Sequence, residues 1–366
     1  VFSWFSMLFS AGMGIGLLYF SVSEPITHFA NPPIPQVLDE DRAIQALNFT
    51  FLHYGLHAWA IYCLVGLGLA YFAFSKKLPF SLRSIFFPVI GRKIFGKTGD
   101  YIDIIAVIAT LFGLATSLGF GARQIATGLN YIFGVNPGQT TQLLIILFIT
   151  CIATISVVTG LKKGVKFLSE MNMRIAVGLL LIIIILGPTI FILNSFIQNT
   201  GSYVSHLLTW STWGESYAQG QWQNSWTVFY WGWWIAWSPF VGTFIARISK
   251  GRTIRQFILG VLIVPTIVTC LWISAFNSVS ILEVMNGNTA IADAVQNDVS
   301  TALFVFLETI PFTEAISVLA MCYSLHKGFS QDLKKKKEAE KANTVTQAIL
   351  NSSTNKITSK TNDKVK

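Results

Sequence analysis

The stretch Phe257-Ile258-Leu259-Gly260-Val261-Leu262-Ile263-Val264-Pro265-Thr266-Ile267-Val268-Thr269-Cys270-Leu271-Trp272-Ile273-Ser274-Ala275-Phe276 carries no charged side chain from end to end. Wound as a helix, it spans the roughly 30 Å hydrocarbon core of a bilayer, which takes about 20 residues at ~1.5 Å each. Working outward from it, residues 229–246, 175–195, 143–158, 102–120 and 49–74 repeat the pattern, and residues 1–20 form another apolar run. One apolar helix can be buried in a soluble core; a series of them cannot. Composition agrees, with 52% hydrophobic and only 12% charged residues, against roughly 25% charged in soluble domains. The expected class is an all-α integral membrane protein.

Charge in the connecting segments sets an orientation. Lys76, Lys77, Arg83, Arg92, Lys93 and Lys97 fall in one loop, Lys162, Lys163, Lys166 and Arg174 in another, and Arg247, Lys250, Arg252 and Arg255 in a third. The alternating loops are acidic or neutral. Asp39, Glu40 and Asp41 outnumber Arg42, and 196–226 and 277–311 hold Glu215, Glu283, Asp293, Asp298 and Glu308 without a Lys or Arg. Positive loops stay cytoplasmic, so the first span runs from inside to outside and the direction alternates down to residue 276. Trp210, Trp213, Trp222 and Trp226 crowd one outer loop, where tryptophan commonly anchors at the membrane interface. The 1–325 portion is expected to be the transmembrane domain and 326–366, with Lys334, Lys335, Lys336 and Lys337, a cytoplasmic disordered tail. A cytoplasmic tail requires a further crossing near 303–325, a stretch interrupted by Glu308, Pro311 and Glu314.

Other classes find little support. Cys63, Cys151, Cys270 and Cys322 are widely spaced, with no Cys-x-x-Cys or Cys/His cluster, and read as free apolar cysteines. The net charge of +9 suits anionic lipid heads, and no nucleic-acid motif occurs. His53 and His57 are four apart, but no Glu lies between them and no third metal ligand is evident, so an intramembrane enzyme is not expected.

Two segments carry chemistry. The first span reads Ser10-Ala11-Gly12-Met13-Gly14-Ile15-Gly16. Glycines at every second position either permit close helix packing or unwind the helix, freeing backbone groups for a ligand or ion. The run is denser in glycine than packing needs, which favours unwinding. The second segment is Phe229-Tyr230-Trp231-Gly232-Trp233-Trp234-Ile235-Ala236-Trp237-Ser238-Pro239-Phe240-Val241-Gly242. Trp233 and Trp237 share a helical face, and Pro239 loosens the helix there. Tyr54, Trp59 and Tyr62 add aromatics from another span. Core packing explains a single tryptophan; this cluster fits a box that holds a quaternary ammonium cation against ring faces. No carboxylate lies within these two spans, which suggests a ligand that brings its own negative charge. Glu24, followed by Pro25, reads as a helix-end or gating residue. Thr110, Thr116 and Ser117 are either sodium ligands or local helix bonds.

These residues together resemble the betaine/choline/carnitine transporter family. The matching motifs are Gly12-Met13-Gly14-Ile15-Gly16 with Glu24-Pro25 downstream, His53-Tyr54-Gly55-Leu56-His57-Ala58-Trp59-Ala60-Ile61-Tyr62, and the run from Trp231 to Gly242 followed by Ala246-Arg247-Ile248-Ser249-Lys250-Gly251-Arg252-Thr253-Ile254-Arg255. The resemblance runs from Val1 to about Met321 and implies a LeuT-like inverted-repeat fold, two five-helix repeats within twelve helices, with a midplane site and often a homotrimer. This chain resembles helices three to nine and the start of ten. By that similarity Trp59, Tyr62, Trp233, Trp234 and Trp237 line the box, with Gly12, Met13, Gly14 and Gly16 at the unwound segment. Tyr54 stands where the family often has Trp. Ser10 and Met13 would serve one sodium ion, Thr110 and Phe240 a second, and Leu114 stands where some members have a hydroxyl.

Gly16 occupies the position where choline transporters often carry Asp, which favours glycine betaine. The Ser238-Pro239-Phe240 run looks more like sodium-coupled uptake members than sodium-independent carnitine exchangers. The resemblance therefore implies a plasma-membrane, sodium-coupled transporter of glycine betaine or a related trimethylammonium osmolyte, serving osmotic protection without a cofactor. The alternatives are a choline or carnitine transporter, or a non-transporting remnant, because the sequence opens with Val1 inside an apolar run and reads as a fragment or internal deletion. The lysine-rich tail is either solvated or a sensor of lipid or potassium.

Overall fold

The structure, a computed structural model, describes residues 4, 5, 7, 8, 14–158, 162–217 and 220–326, with the backbone alone at 153, 155–158 and 162–169. Ser10, Gly12, Met13 and the lysine-rich tail lie outside the described residues. Helices and turns make up the described chain, with no strand among the described residues.

Residues 4, 5, 7 and 8 of the first span are helical, the backbone is non-helical at Gly14, and the chain winds into the single turn α1, Gly16–Tyr19, before α2, Ser23–Ala30. Helix α3, Asp39–Tyr54, opens on Asp39, Glu40 and Asp41, where carboxylates complement the positive end of the helix dipole. It breaks at Gly55, whose backbone leaves helical geometry at φ −90° and ψ −133°, and α4 continues as Leu56–Ala70. Helix α5, Lys97–Phe133, is 37 residues long, roughly 55 Å, so the apolar run read at 102–120 is only its middle. Ile104, Ile105, Ile108, Leu111 and Phe112 are exposed along it, as a lipid-facing surface requires. Gly134, at φ 69°, ends the helix in the left-handed region. Helix α6 is Gln139–Val158.

The run read as one span at 175–195 is not straight. Helix α7, Lys162–Leu186, and α8, Thr189–Ser205, meet at a bend of 112°. Gly187 and Pro188 explain it. Proline has no N–H for the Ile184 carbonyl and its ring crowds that position; the Thr189 hydroxyl donates to Ile184 instead, at 2.6 Å. Helix α9, Phe229–Ile248, behaves differently at its own proline. It runs on through Pro239, and the Ser238 hydroxyl donates to the Ile235 carbonyl at 2.8 Å, the acceptor that Pro239 cannot serve. The loosening expected at Pro239 does not interrupt the helix. Helix α10, Ile254–Ile273, starts in a capping box of Thr253 and Gln256, and the helical path continues to Met285. Helices α11, Thr289–Asn297, and α12, Ala302–Leu307, follow. The crossing expected near 303–325 is broken at 308–312, where Phe312 has φ 64°, and helix resumes at 313–326.

Among the described residues three helices, Asp39–Ser75, Lys97–Phe133 and Ile254–Met285, are long and apolar enough to cross a membrane, or four if the bent pair is one span. The longer series read from the sequence shrinks for local reasons. Helix α9 is rich in tryptophan, which scores low on hydropathy, Gln139–Ile152 is short, and much of 1–20 lies outside the described residues.

Contacts between loops agree with the charge pattern. Arg247 lies 5.1 Å from the ring centroid of Phe80 and Lys250 5.7 Å from that of Phe74, so two basic loops meet on one face. Arg83 pairs with Asp100 at 2.9 Å and Asp103 at 2.6 Å at the start of α5. At the other end of α5, Arg123 pairs with Asp298 at 3.0 Å and the Tyr131 hydroxyl donates to Glu308 at 2.6 Å. Helix α5 therefore runs from the basic face to the acidic one.

Candidate functional site

The break at Gly14, together with residues on either side of the break at Gly55, borders a small cavity lined by Gly14, Leu17, Tyr54, Ala58, Trp59, Tyr62 and Trp234. Gly55 is glycine for a steric reason: a Cβ there would collide with the Phe51 carbonyl. The break exposes the His53 carbonyl, and the Trp234 indole donates to it at 2.8 Å. Trp59 and Tyr62 meet edge to face at 5.9 Å between centroids, Tyr62 and Trp234 at 6.3 Å, and Tyr54 and Trp234 at 5.7 Å. The space open to the centre of a water molecule is about 10 Å³, room for about one water. A trimethylammonium group enters only if these rings move apart. No carboxylate or cationic group lines the cavity.

Gly16 satisfies both readings of the glycine run. The backbone two residues before it, at Gly14, is non-helical, and a Cβ on Gly16 would sit 2.5 Å from the Trp233 ring, so the glycine also admits a tryptophan against the backbone. The structure divides the tryptophans of α9. Trp234 lines the cavity. Trp233 stacks on Trp234 at 4.9 Å and 12°, but its indole donates to Ser117 on α5 at 3.2 Å. Trp237 donates to the same hydroxyl at 2.9 Å and packs edge-on to Phe240. These two are not among the cavity-lining residues. Thr110 makes the local bond of a threonine in a membrane helix, donating to the Ala106 carbonyl at 2.8 Å. Phe240 is buried. Thr110 keeps hydroxyl lone pairs, the hard oxygen chemistry that sodium takes.

Sequence reasoning missed the polar layer beside the cavity. Glu24 is fully buried. Its carboxylate receives His53 Nδ1 at 2.6 Å, His28 Nε2 at 3.3 Å and the Tyr230 hydroxyl. His53 Nε2 meets the Thr227 hydroxyl at 3.0 Å, and the Trp222 indole donates to His28 Nδ1 at 3.2 Å. The Tyr54 hydroxyl donates to the Gly16 carbonyl at 3.1 Å and lies 2.9 Å from the Tyr230 hydroxyl. The four-residue spacing of Glu24 and His28 was the available signal; their meeting with His53 and Tyr230 was not visible in it. Trp222 and Trp226 pack on His28, and Trp210 and Trp213 on Phe49. The outer-loop tryptophans thus form a partly buried cap over this layer.

An all-helical chain with apolar, lipid-length helices and an aromatic cavity at breaks in two of them has the architecture of a membrane transport protein. The model of the betaine/carnitine/choline family of transporters matches residues 1–326. The chain belongs to that family. It is 46% identical over 319 residues to a glycine betaine transporter of Acinetobacter baylyi, covering 87% of this chain and 48% of that protein. A glycine betaine/proline/choline transporter of Vibrio parahaemolyticus is 46% identical over 340 residues, 87% of this chain and 60% of that protein. The glycine betaine transporter OpuD of Bacillus subtilis is 45% identical over 322 residues, 87% of this chain and 62% of that protein. The chain thus spans about half to three-fifths of the length of these relatives.

Proposed function

We propose that this chain forms the substrate-binding part of a sodium-coupled plasma-membrane transporter for glycine betaine or a related trimethylammonium osmolyte. The observation that carries the reading is the cavity lining: Trp59, Tyr62, Trp234 and Tyr54 converge with no carboxylate among them. Ring faces attract a quaternary ammonium group, and desolvation strengthens the attraction to about 2 kcal/mol. A ligand held this way needs no protein anion when it carries its own, which favours the zwitterion over choline. Freed backbone amides of the segment at Gly14 are suited to the ligand carboxylate. The names of the relatives point to the same ligand class.

In this reading Ser10, Met13, Thr110 and Phe240 serve the coupling ion, while Gly12, Met13, Gly14 and Gly16 form the unwound wall of the site. Trp233 and Trp237 line its approach. The fold is the inverted-repeat, LeuT-like arrangement, assembled as a homotrimer among membrane lipids with the 326–366 tail in the cytoplasm. Residues 1–325 form the transport domain. Bound sodium stabilises the unwound first span and so the loaded state.

A titration of tryptophan fluorescence tests this on the purified chain, with glycine betaine and choline, in sodium and then in potassium. A saturable, sodium-dependent change with glycine betaine and a weaker one with choline is the expected result. A response in both salts removes sodium coupling from the reading. Equal responses to both ligands favour the choline alternative, and no response to either favours a non-transporting remnant.

A further inference from the structure

A fully buried carboxylate is expensive unless it is paired and hydrogen-bonded, yet Glu24 does not line the cavity. Glu24, His28 and His53 offer ligand atoms within 4.8 Å of one another, the composition of a metal site. Their outer partners argue against one. An indole N–H only donates, so Trp222 makes His28 Nδ1 an acceptor and places that ring's proton on Nε2, facing Glu24. The carboxylate accepts from His53 Nδ1 at 2.6 Å, so that ring too turns an N–H to Glu24, while its Nε2 meets the Thr227 hydroxyl. Tyr230 donates to the second carboxylate oxygen. Glu24 is enclosed by hydrogen-bond donors.

We propose that Glu24 is a positioning residue of the aromatic cavity, acting through Tyr230 and Tyr54 on the Gly16 segment. The proposal rests on reading the cavity as the ligand site. Each phenol has one proton to give. The anionic carboxylate takes that of Tyr230, which leaves the Tyr230 oxygen free to accept. The Tyr54 proton is then shared between that oxygen at 2.9 Å and the Gly16 carbonyl at 3.1 Å. The chain of bonds ties α2, α3 and α9 to the first span at α1, the turn that follows the break at Gly14. It also reaches the cavity walls from two sides. Tyr54 is itself a wall, and Trp234, one helical turn beyond Tyr230, is bonded to the backbone of His53, the residue that grips Glu24. The tether requires the Tyr54 hydroxyl, which phenylalanine or tryptophan would not supply.

The test uses ligand-free full chain in detergent and three readouts: hydrogen exchange at the amides of residues 16–20, glycine betaine Kd, and the thermal midpoint. Tyr54→Phe and Glu24→Gln are each expected to speed exchange in that segment and to raise Kd about fivefold to tenfold, the worth of one buried or charge-assisted hydrogen bond. The double variant is expected to be no weaker than the weaker single, because both cut the same chain. Glu24→Asp, which keeps the charge, is expected to recover part of the affinity. Unchanged exchange in both singles, losses that add, or a Kd that stays at the wild-type value while only the midpoint falls would overturn the proposal. Should Glu24→Gln not fold, Tyr230→Phe replaces it in the same cycle. If the wild-type chain binds no glycine betaine, the functional reading falls, and the exchange of residues 16–20 alone decides whether the tether exists.

Discussion

At the scale of the residue, the cavity depends on ring faces and on the glycines that let them approach. Trp234 is both a wall and a bonded partner of the His53 carbonyl. Trp234→Ala removes a desolvated cation–π face worth roughly 2 kcal/mol, so the Kd for glycine betaine is expected to rise about thirtyfold in a fluorescence or calorimetric titration. A loss below about twofold would place the ligand elsewhere. Gly16 makes a different contribution. Its missing Cβ makes room for Trp233, which is held in turn by Trp234 and Ser117. Gly16→Ala is expected to overpack this contact and cost about 1–3 kcal/mol, read as a lowered thermal midpoint in detergent. An unchanged midpoint would mean that Trp233 can swing aside freely.

At the scale of the element, the prolines show how a membrane helix tolerates a missing donor. No water reaches the hydrocarbon core, so each carbonyl freed by a proline needs another partner. Ser238 supplies it at Ile235 and the helix continues; Thr189 supplies it at Ile184 where glycine and proline adjoin and the path turns. Ile235 is 58% exposed on the outer surface of α9, where lipid offers no donor. Ser238→Ala is expected to cost about 1–3 kcal/mol by leaving that carbonyl unsatisfied. A thermal midpoint equal to wild type would show that the backbone finds another partner. Sequence reading recognised α9 as a proline-bearing helix but could not say which proline bends the chain, because the outcome depends on the neighbour that fills the gap.

At the scale of the whole molecule, α5 is pinned at both ends, by Arg83 with Asp100 and Asp103 at one and by Asp298 and Glu308 at the other. Burial pushes the Asp298 carboxyl up, but the hydroxyl and amide of Ser300, together with Arg123, outweigh it and hold the group below the usual aspartate value. A folded value below the unfolded one stabilises the protein at pH above the unfolded value, about 4. That contribution is lost as pH falls through the lowered folded value. Asp298→Asn is therefore expected to lower the thermal midpoint modestly at neutral pH, by about 0.5–1 kcal/mol for a half-exposed pair. The difference from wild type should close in acid. A difference that persists unchanged at low pH would assign the loss to packing instead of charge.

The class of the molecule was legible in the chain alone. Uncharged runs such as 257–276 have no stable place in water, and alternation of basic and acidic loops orders them across a bilayer; both are local properties that composition records. The aromatic residues of the cavity were legible too, since Tyr54, Trp59, Tyr62 and Trp234 stand in two aromatic-rich apolar segments and Trp59 and Tyr62 are three apart on one helix. Which tryptophans share the cavity was not. Trp233 and Trp237 turn to Ser117, a choice made by where α5 packs against α9. The polar layer was equally hidden, because Glu24, His53, Thr227 and Tyr230 come from distant parts of the chain and acquire partners only when burial removes water and forces each polar group to find another.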